Sequence, residues 1–126
     1  MNNATIHTYS ISENASRMIQ KLQSFRQLKE NWDSYGAAKP SVNAINRAIS
    51  LVKTLDLANQ PVYFVAPGPN GEIVVEFREG EYSIEITVDD EGKEEYVTLR
   101  NGILLSEPAT FDSLPVLVRW LASNRC

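Results

Sequence analysis

Residues 31–37 read Asn-Trp-Asp-Ser-Tyr-Gly-Ala, and the rest of the chain is predicted to be organised around this stretch. It lies between two amphipathic patterns that are typical of helices, so we interpret it as the corner between them. Gly36 supplies the permissive backbone that a tight corner needs. Trp32 and Tyr35 can bury large apolar surfaces if their polar atoms find partners, and Asp33 can accept hydrogen bonds from free backbone N–H groups.

Apolar residues recur every three or four positions on both sides of this corner, which predicts one amphipathic helix before it and another after it. Ser10 and Glu13 fit a capping box that would begin the first helix, and either Ser41 or the pair at 39–40 would begin the second. The positions expected to face the core are Ile11, Ala15, Met18, Ile19, Leu22, Phe25 and Leu28 in the first helix and Val42, Ile45, Ala48, Ile49, Val52 and Leu55 in the second.

From residue 61 onward the hydrophobic period changes to two, which is typical of strands. Strands are expected at 62–65, 72–78, 82–88, 94–100 and 103–106. Asn101-Gly102 is the strongest hairpin signal in the chain. A last helix follows Pro108, and its apolar side consists of Leu114, Leu117, Val118 and Leu121.

The predicted order is ααβββββα, an α+β fold in which an antiparallel five-stranded meander has two N-terminal helices and one C-terminal helix on one face. The length of 126 residues fits a single domain over 1–126, of which residues 1–9 have no period and are expected to be flexible. A turn at 79–80 would place Phe77 opposite Tyr82, and the next hairpin would place Ile86 opposite Val97. In this register the face away from the helices carries Glu72, Val74, Glu76, Glu85 and Tyr96.

Composition and residue usage exclude several classes of function. The apolar content of 43% and charged content of 22% are those of an ordinary globular protein, and the apolar runs are too short to cross a bilayer. The N-terminus lacks the pattern of a signal peptide, and the single cysteine, Cys126, allows no internal disulfide, so a cytoplasmic location is expected.

Catalytic and metal-binding sets are also missing. The only histidine is His7, in the expected tail, which argues against a nucleophile–histidine pair, and a structural zinc site lacks ligands. The acidic turn at 89–91 lacks the ligand spacing of a calcium loop and is interpreted as a solvated turn. The sequence therefore predicts a protein that is not an enzyme, with no catalytic residues, no metal and no cofactor.

Charge is distributed unevenly along the chain. Residues 1–60 hold seven Lys and Arg against four acidic residues, a net +3, whereas residues 61–126 hold five against twelve, a net −7, in agreement with the total of −4. One interpretation is that the glutamates on the exposed sheet face serve only to keep the protein soluble. The alternative is a docking face for a protein with a basic surface, in which Glu72, Glu76 and Glu85 supply charge and Val74 and Tyr96 are apolar anchors. Direct nucleic-acid binding is not expected, since it would rely on the helical cations Arg17, Lys21, Arg47 and Lys53.

The pairs Trp32-Asp33 and Gly36-Ala37, followed by a Pro/Ser-led helix and alternating strands, resemble a scattered group of small bacterial proteins of unknown function over about residues 22–100. The resemblance implies a bacterial or phage origin, a cytoplasmic location and carriage on mobile genetic elements, and no catalytic assignment. Our hypothesis is a non-enzymatic module of the immunity, antitoxin or defence-inhibitor type that occludes a partner protein. The alternative is a small enzyme or ligand-binding protein with a pocket at Trp32, Asp33 and Tyr35.

Overall fold

The computed structural model describes residues 10–110 and 114–123. Its elements, in order, are α1 (Glu13–Ser24), α2 (Val42–Leu57), β1 (Val62–Pro67), β2 (Ile73–Glu79), β3 (Tyr82–Val88), β4 (Glu94–Arg100), β5 (Ile103–Leu104) and α3 (Leu114–Ser123). Each strand pairs antiparallel with the next, in the sheet order β1-β2-β3-β4-β5. This confirms the predicted α+β meander with two N-terminal helices and one C-terminal helix. The predicted flexible tail at 1–9, His7 and Cys126 lie outside the described residues.

Helix α1 begins later than the sequence predicted. Its N-cap is Ser12, whose Oγ accepts a hydrogen bond from the Ala15 N–H at 3.1 Å, so the capping box at Ser10 was wrong. Ser12 also donates to the carboxylate of Asp56, from its N–H at 3.0 Å and from its Oγ at 2.5 Å. Since Asp56 lies in the last turn of α2, the cap of one helix also ties it to the end of the other. Ile11 precedes the helix and is exposed.

Helix α2 is covered on more of its circumference than the sequence predicted. It contacts α1 and the strands β1, β2 and β3, and this wide contact buries Ala44 and Leu51 in addition to the predicted stripe. Val42 is the exception, because it stands in the first turn with its side chain 63% exposed. Of the two predicted starts, Ser41 is the N-cap, and its Oγ also donates to the Asp90 carbonyl at 2.7 Å.

The hairpin between β2 and β3 turns one residue later than predicted. Glu79 lies opposite Tyr82, and Phe77 lies opposite Ile84 rather than Tyr82. The intervening turn begins at Gly80, whose φ of +61° is the positive value that two-residue hairpins need at this position. The register shift is two residues, so the predicted buried face of β2 and β3 is preserved.

The hairpin between β3 and β4 differs by one residue, and this reverses the faces of β4. Ile86 lies opposite Tyr96, not Val97, and Ile84 lies opposite Thr98. Because strand side chains alternate between faces, a one-residue shift moves every side chain of β4 to the other side of the sheet. Tyr96 therefore lies on the helix side, which contradicts its predicted exposure, and Val97 lies on the side away from the helices.

The core fills the space between the helices and one face of the sheet. Its largest fully buried side chains are Phe77, Leu22, Ile45, Leu55, Ile73, Ile84, Ile86 and Leu121. At the α3 end, Trp120 packs edge-on against Tyr82, with ring centroids 5.9 Å apart and planes at 87°. The opposite side of the sheet has no helix over it in the described residues, and we call it the open face.

The β4 register predicts which of two neighbouring residues tolerates a charge. Thr98 is 8% exposed on the helix side, so Thr98→Lys is expected to lower the free energy of unfolding by about 3 kcal/mol or more. Val97→Lys is the matched control and is expected to cost less than about 1 kcal/mol. Urea midpoints measure both changes, and the reverse order of stabilities would contradict the register.

Candidate functional site

The open face is the candidate functional site, and the strand registers define its members. They are Phe64 and Ala66 from β1, Val74, Glu76 and Arg78 from β2, Ser83, Glu85 and Thr87 from β3, Glu95, Val97 and Leu99 from β4, and Leu104 from β5. The face thus combines carboxylates at its centre with apolar side chains from β4 and β5.

Two glutamates face each other at the centre of this surface. Glu76 on β2 is paired directly with Glu85 on β3, and like charges in that relation destabilise a sheet. Glu76 accepts a hydrogen bond from the Arg78 guanidinium at 2.8 Å, whereas Glu85 has no hydrogen-bond or ion-pair partner among the described residues. Burial, and then the charge of Glu76, raise the pKa of Glu85. Within residues 10–110 and 114–123, Glu85 is therefore a half-buried carboxylate without a cation beside it.

An apolar strip borders this carboxylate. Val97 lies directly across from Glu85, while Leu99 pairs with Ser83 on one side and with Leu104 on the other. Val97 and Leu99 are half-buried, and Leu104 is exposed. The predicted register placed Val97 opposite Ile86, and thus on the helix side, so the sequence did not predict this strip. The turn at 89–93 contains an odd number of residues, and this number is the signal in the sequence that would have predicted the observed register and the apolar strip.

The two facing glutamates each line a shallow depression. A groove of about 360 Å³ is lined by Glu76, Arg78, Ser83 and Leu99 and extends to the turns at 80–81 and 101–102. A smaller depression of about 210 Å³ is lined by Glu85, Thr87, Glu95, Tyr96, Val97 and Pro108. Both are open to solvent, so the surface offers shallow contact sites for protruding side chains.

The remaining predicted members of the docking face are placed differently. Glu72 precedes β2, and its carboxylate accepts a hydrogen bond from the Asn70 N–H at 2.6 Å, so it stabilises the loop before the strand. Val74 is on the open face and half-buried, as expected. Tyr96 is paired with Ile86 on the helix side and belongs to the margin of the core. Of the five predicted residues, Val74, Glu76 and Glu85 come together.

The corner at residues 31–37 is closed by its own side chains. The Asp33 carboxylate accepts hydrogen bonds from the N–H groups of Tyr35 at 2.8 Å and Ala37 at 3.1 Å. The Asn31 side-chain oxygen accepts from the Gly36 N–H at 2.7 Å. These bonds hold Asn31 and Ser34 at φ values of +66° and +67°, which non-glycine residues adopt only at a cost. The Asp33 carboxylate thus forms the turn.

Trp32, Asp33 and Tyr35 do not converge on one space. The Trp32 indole is half-buried and donates from Nε1 to the Ala38 carbonyl at 2.9 Å, whereas the Tyr35 side chain is 91% exposed. The end of the corner is joined to the loop between β1 and β2, because the Ala38 N–H donates to the Pro69 carbonyl at 2.8 Å. Trp32 and Asp33 therefore act as scaffold, and Tyr35 is displayed outward.

The part of the chain that the structure describes contains no group of three or more His, Cys, Asp and Glu side chains arranged to hold a metal ion. At the acidic turn, the Asp89 carboxylate accepts from the N–H groups of Glu91 and Lys93. No helix within residues 10–110 and 114–123 has the length and apolarity to cross a bilayer.

Comparisons with protein-family models, curated proteins and solved structures found no significant match.

The corner predicts a difference between two substitutions of one residue. Asp33→Ala removes the acceptor of two backbone N–H groups and is expected to lower the free energy of unfolding by about 1–2 kcal/mol. Asp33→Asn keeps an oxygen in the same place and should cost less than about 0.5 kcal/mol. Thermal and urea unfolding measure both. Equal losses for the two variants would show that the charge, not the acceptor geometry, holds the corner.

The position of Glu85 predicts a pH-dependent gain in stability. Because the folded state raises the pKa of Glu85 above its ordinary value of 4.5, its ionisation at neutral pH opposes folding. Glu85→Gln is therefore expected to raise Tm by about 1–3 °C at pH 7. The gain should shrink as the pH falls through the raised pKa and vanish below 4.5, where the wild-type carboxyl is protonated in both states. Glu13→Gln, at an exposed helix position, is the control without a gain; the same gain there would contradict this account.

Proposed function

We propose that this chain is a non-enzymatic protein-binding module that acts by occluding a partner, in the manner of immunity, antitoxin or defence-inhibitor proteins. The open face is its docking surface. The observation that carries the proposal is the opposition of Glu76 and Glu85 beside the apolar strip of Val97, Leu99 and Leu104. Glu85 is half-buried and has no cation beside it in the part of the chain that the structure describes.

The physical reason is that this arrangement is unfavourable in the isolated protein and becomes favourable in a complex. A lysine or arginine of the partner, placed over Glu85, would give this carboxylate a cation in a partly desolvated setting, as Arg78 does for Glu76. The adjacent apolar strip would bury aliphatic or aromatic side chains that surround this cation. The expected partner is therefore a protein whose surface presents a basic residue within an apolar patch.

The helical cations that would be needed for nucleic-acid binding are largely engaged with side chains of their own chain. Arg17 pairs with Glu13 at 3.2 Å, and Arg47 pairs with Glu94 on β4. The Lys21 ammonium lies 5.4 Å from the ring centroid of Phe64. These contacts favour a protein partner over nucleic acid, and the acidic open face would repel phosphates.

A ligand-binding protein or small enzyme at the corner is the second candidate, and the exposure of Tyr35 is the observation that favours it. It is the weaker candidate, because the Asp33 carboxylate already accepts two backbone hydrogen bonds. A cytoplasmic setting in a bacterium or phage, which the resemblance at residues 31–37 implies, would suit the occluding inhibitor.

The test compares proteins captured from the source cells by three forms of the chain. Glu76→Gln with Glu85→Gln removes two charges from the open face, and Glu13→Gln with Glu91→Gln removes two from exposed positions elsewhere. We expect a basic protein to be retained by the wild type and by the second variant and lost by the first. Identical capture by all three forms would contradict the proposal.

The purified pair then gives a kinetic test of the charge argument. Screening reduces exposed electrostatic interactions beyond about 8–10 Å at physiological ionic strength. The association rate constant should therefore fall by roughly tenfold as salt rises from about 0.05 M to 0.5 M. The double variant of the open face should lose most of this salt dependence. A rate independent of salt would contradict an acidic docking face.

A further inference from the structure

In the described residues, the edge of the sheet at β5 exposes an uninterrupted aliphatic segment. Ile103, Leu104 and Leu105 are 70%, 55% and 51% exposed, and no charged residue lies among them. Sheet edges in soluble proteins are ordinarily protected by charges, prolines or a covering element, because an edge offers unpaired backbone groups to other strands. We call residues 103–105 the β5 edge.

The hydrogen bonds of this segment determine which backbone groups point outward. The Leu105 N–H donates to the Thr98 carbonyl at 2.8 Å, and Arg100 lies opposite Ile103 beside the turn. Since successive residues of an antiparallel strand direct their N–H and C=O groups to opposite sides, those of Leu104 point away from β4. Leu104 therefore presents one donor and one acceptor at the sheet edge, between two exposed aliphatic side chains.

We propose that the β5 edge is a self-association surface, on which a second copy of this chain pairs antiparallel about a two-fold axis at Leu104. The Leu104 N–H of each copy would donate to the Leu104 carbonyl of the other, which forms a hydrogen-bonded pair of the antiparallel ladder. Ile103 of one copy would lie opposite Leu105 of the second, and the two Leu104 side chains would meet on the open face.

A second copy fits this edge because the edge is complementary to itself. An antiparallel two-fold arrangement places aliphatic side chains against aliphatic side chains at all three positions, as isologous interfaces require. Each copy carries a net charge of −4, but the contact itself contains no charge, so the repulsion acts only at longer range. Salt should therefore strengthen this association, which is the opposite of its effect on the proposed docking of a basic partner.

The contact is small, and this sets the expected affinity. Short edge strands limit pairing, and interfaces below about 1,200 Å² belong to the weak, transient class. We expect a dissociation constant on the order of 10⁻⁵ to 10⁻⁴ M. The inference does not rest on the proposed partner, because the glutamate pair takes no part in it. Leu104 belongs to both surfaces, so a bound partner would compete with the second copy at this residue.

Sedimentation equilibrium of the full chain over about 5–500 μM tests the proposal. The wild type is expected to change from monomer mass towards dimer mass, and more completely at higher salt. Leu104→Pro removes only the outward N–H. Since proline is tolerated at such an edge position, this variant should fold and remain monomeric. Leu104→Met keeps both the N–H and the apolar character and should associate like the wild type. Glu76→Gln with Glu85→Gln should leave the association intact, which separates this test from that of the docking face.

Two results would overturn the proposal. One is a monomer mass for the wild type throughout the range, and the other is undiminished association of Leu104→Pro. Should Leu104→Pro fail to fold by circular dichroism, Ile103→Thr with Leu105→Thr replaces it, since neither change removes a backbone hydrogen bond. Leu57→Thr, at an exposed apolar position on α2, is the matched control and should leave the dissociation constant unchanged.

Discussion

The five-residue turn at 89–93 is the constraint on which the surface of this protein depends. The Asp89 side chain accepts hydrogen bonds from the N–H groups of Glu91 at 2.9 Å and Lys93 at 2.8 Å, which sets the length and shape of the turn. That length places Val88 opposite Glu94 and so determines the register of the whole β3–β4 hairpin. The Asp90 carbonyl of the same turn accepts from the Ser41 Oγ. One turn therefore fixes both the faces of β4 and the start of α2.

The surface chemistry follows from that register. With β4 placed as observed, Val97 and Leu99 stand beside Glu85 instead of contributing to the core, and Thr98 occupies a nearly buried position where its hydroxyl lies 3.0 Å from the Ser106 hydroxyl. The open face consequently has an acidic centre and an apolar border. A face that served solubility alone would gain nothing from a half-buried carboxylate opposite another carboxylate, since that pair opposes folding.

The corner at residues 31–37 uses the same kind of interaction for a different purpose. Asp33 and Asn31 accept backbone hydrogen bonds that hold a strained turn, and the Trp32 indole donates to the Ala38 carbonyl at the end of the turn. The result is a rigid connection that sets α2 over the sheet. The Tyr35 N–H belongs to that turn, whereas the Tyr35 side chain remains in solvent.

The sequence by itself determined the helices and strands, their order and the meander. The hydrophobic periods of 3.6 and two residues are local patterns, and the residues between them are strong turn signals. It also narrowed the start of α2 to Ser41 or the pair at 39–40 and predicted the Asp33 turn, since both depend on neighbours a few residues away. The pairing of β3 with β4 in the folded sheet decided the faces of β4, and with them the placement of Tyr96, Val97 and Leu99, although the five residues between the two predicted strands already pointed to this register. A strand of alternating residues fits either face until the length of its turn is known, and one residue of difference exchanges the two faces.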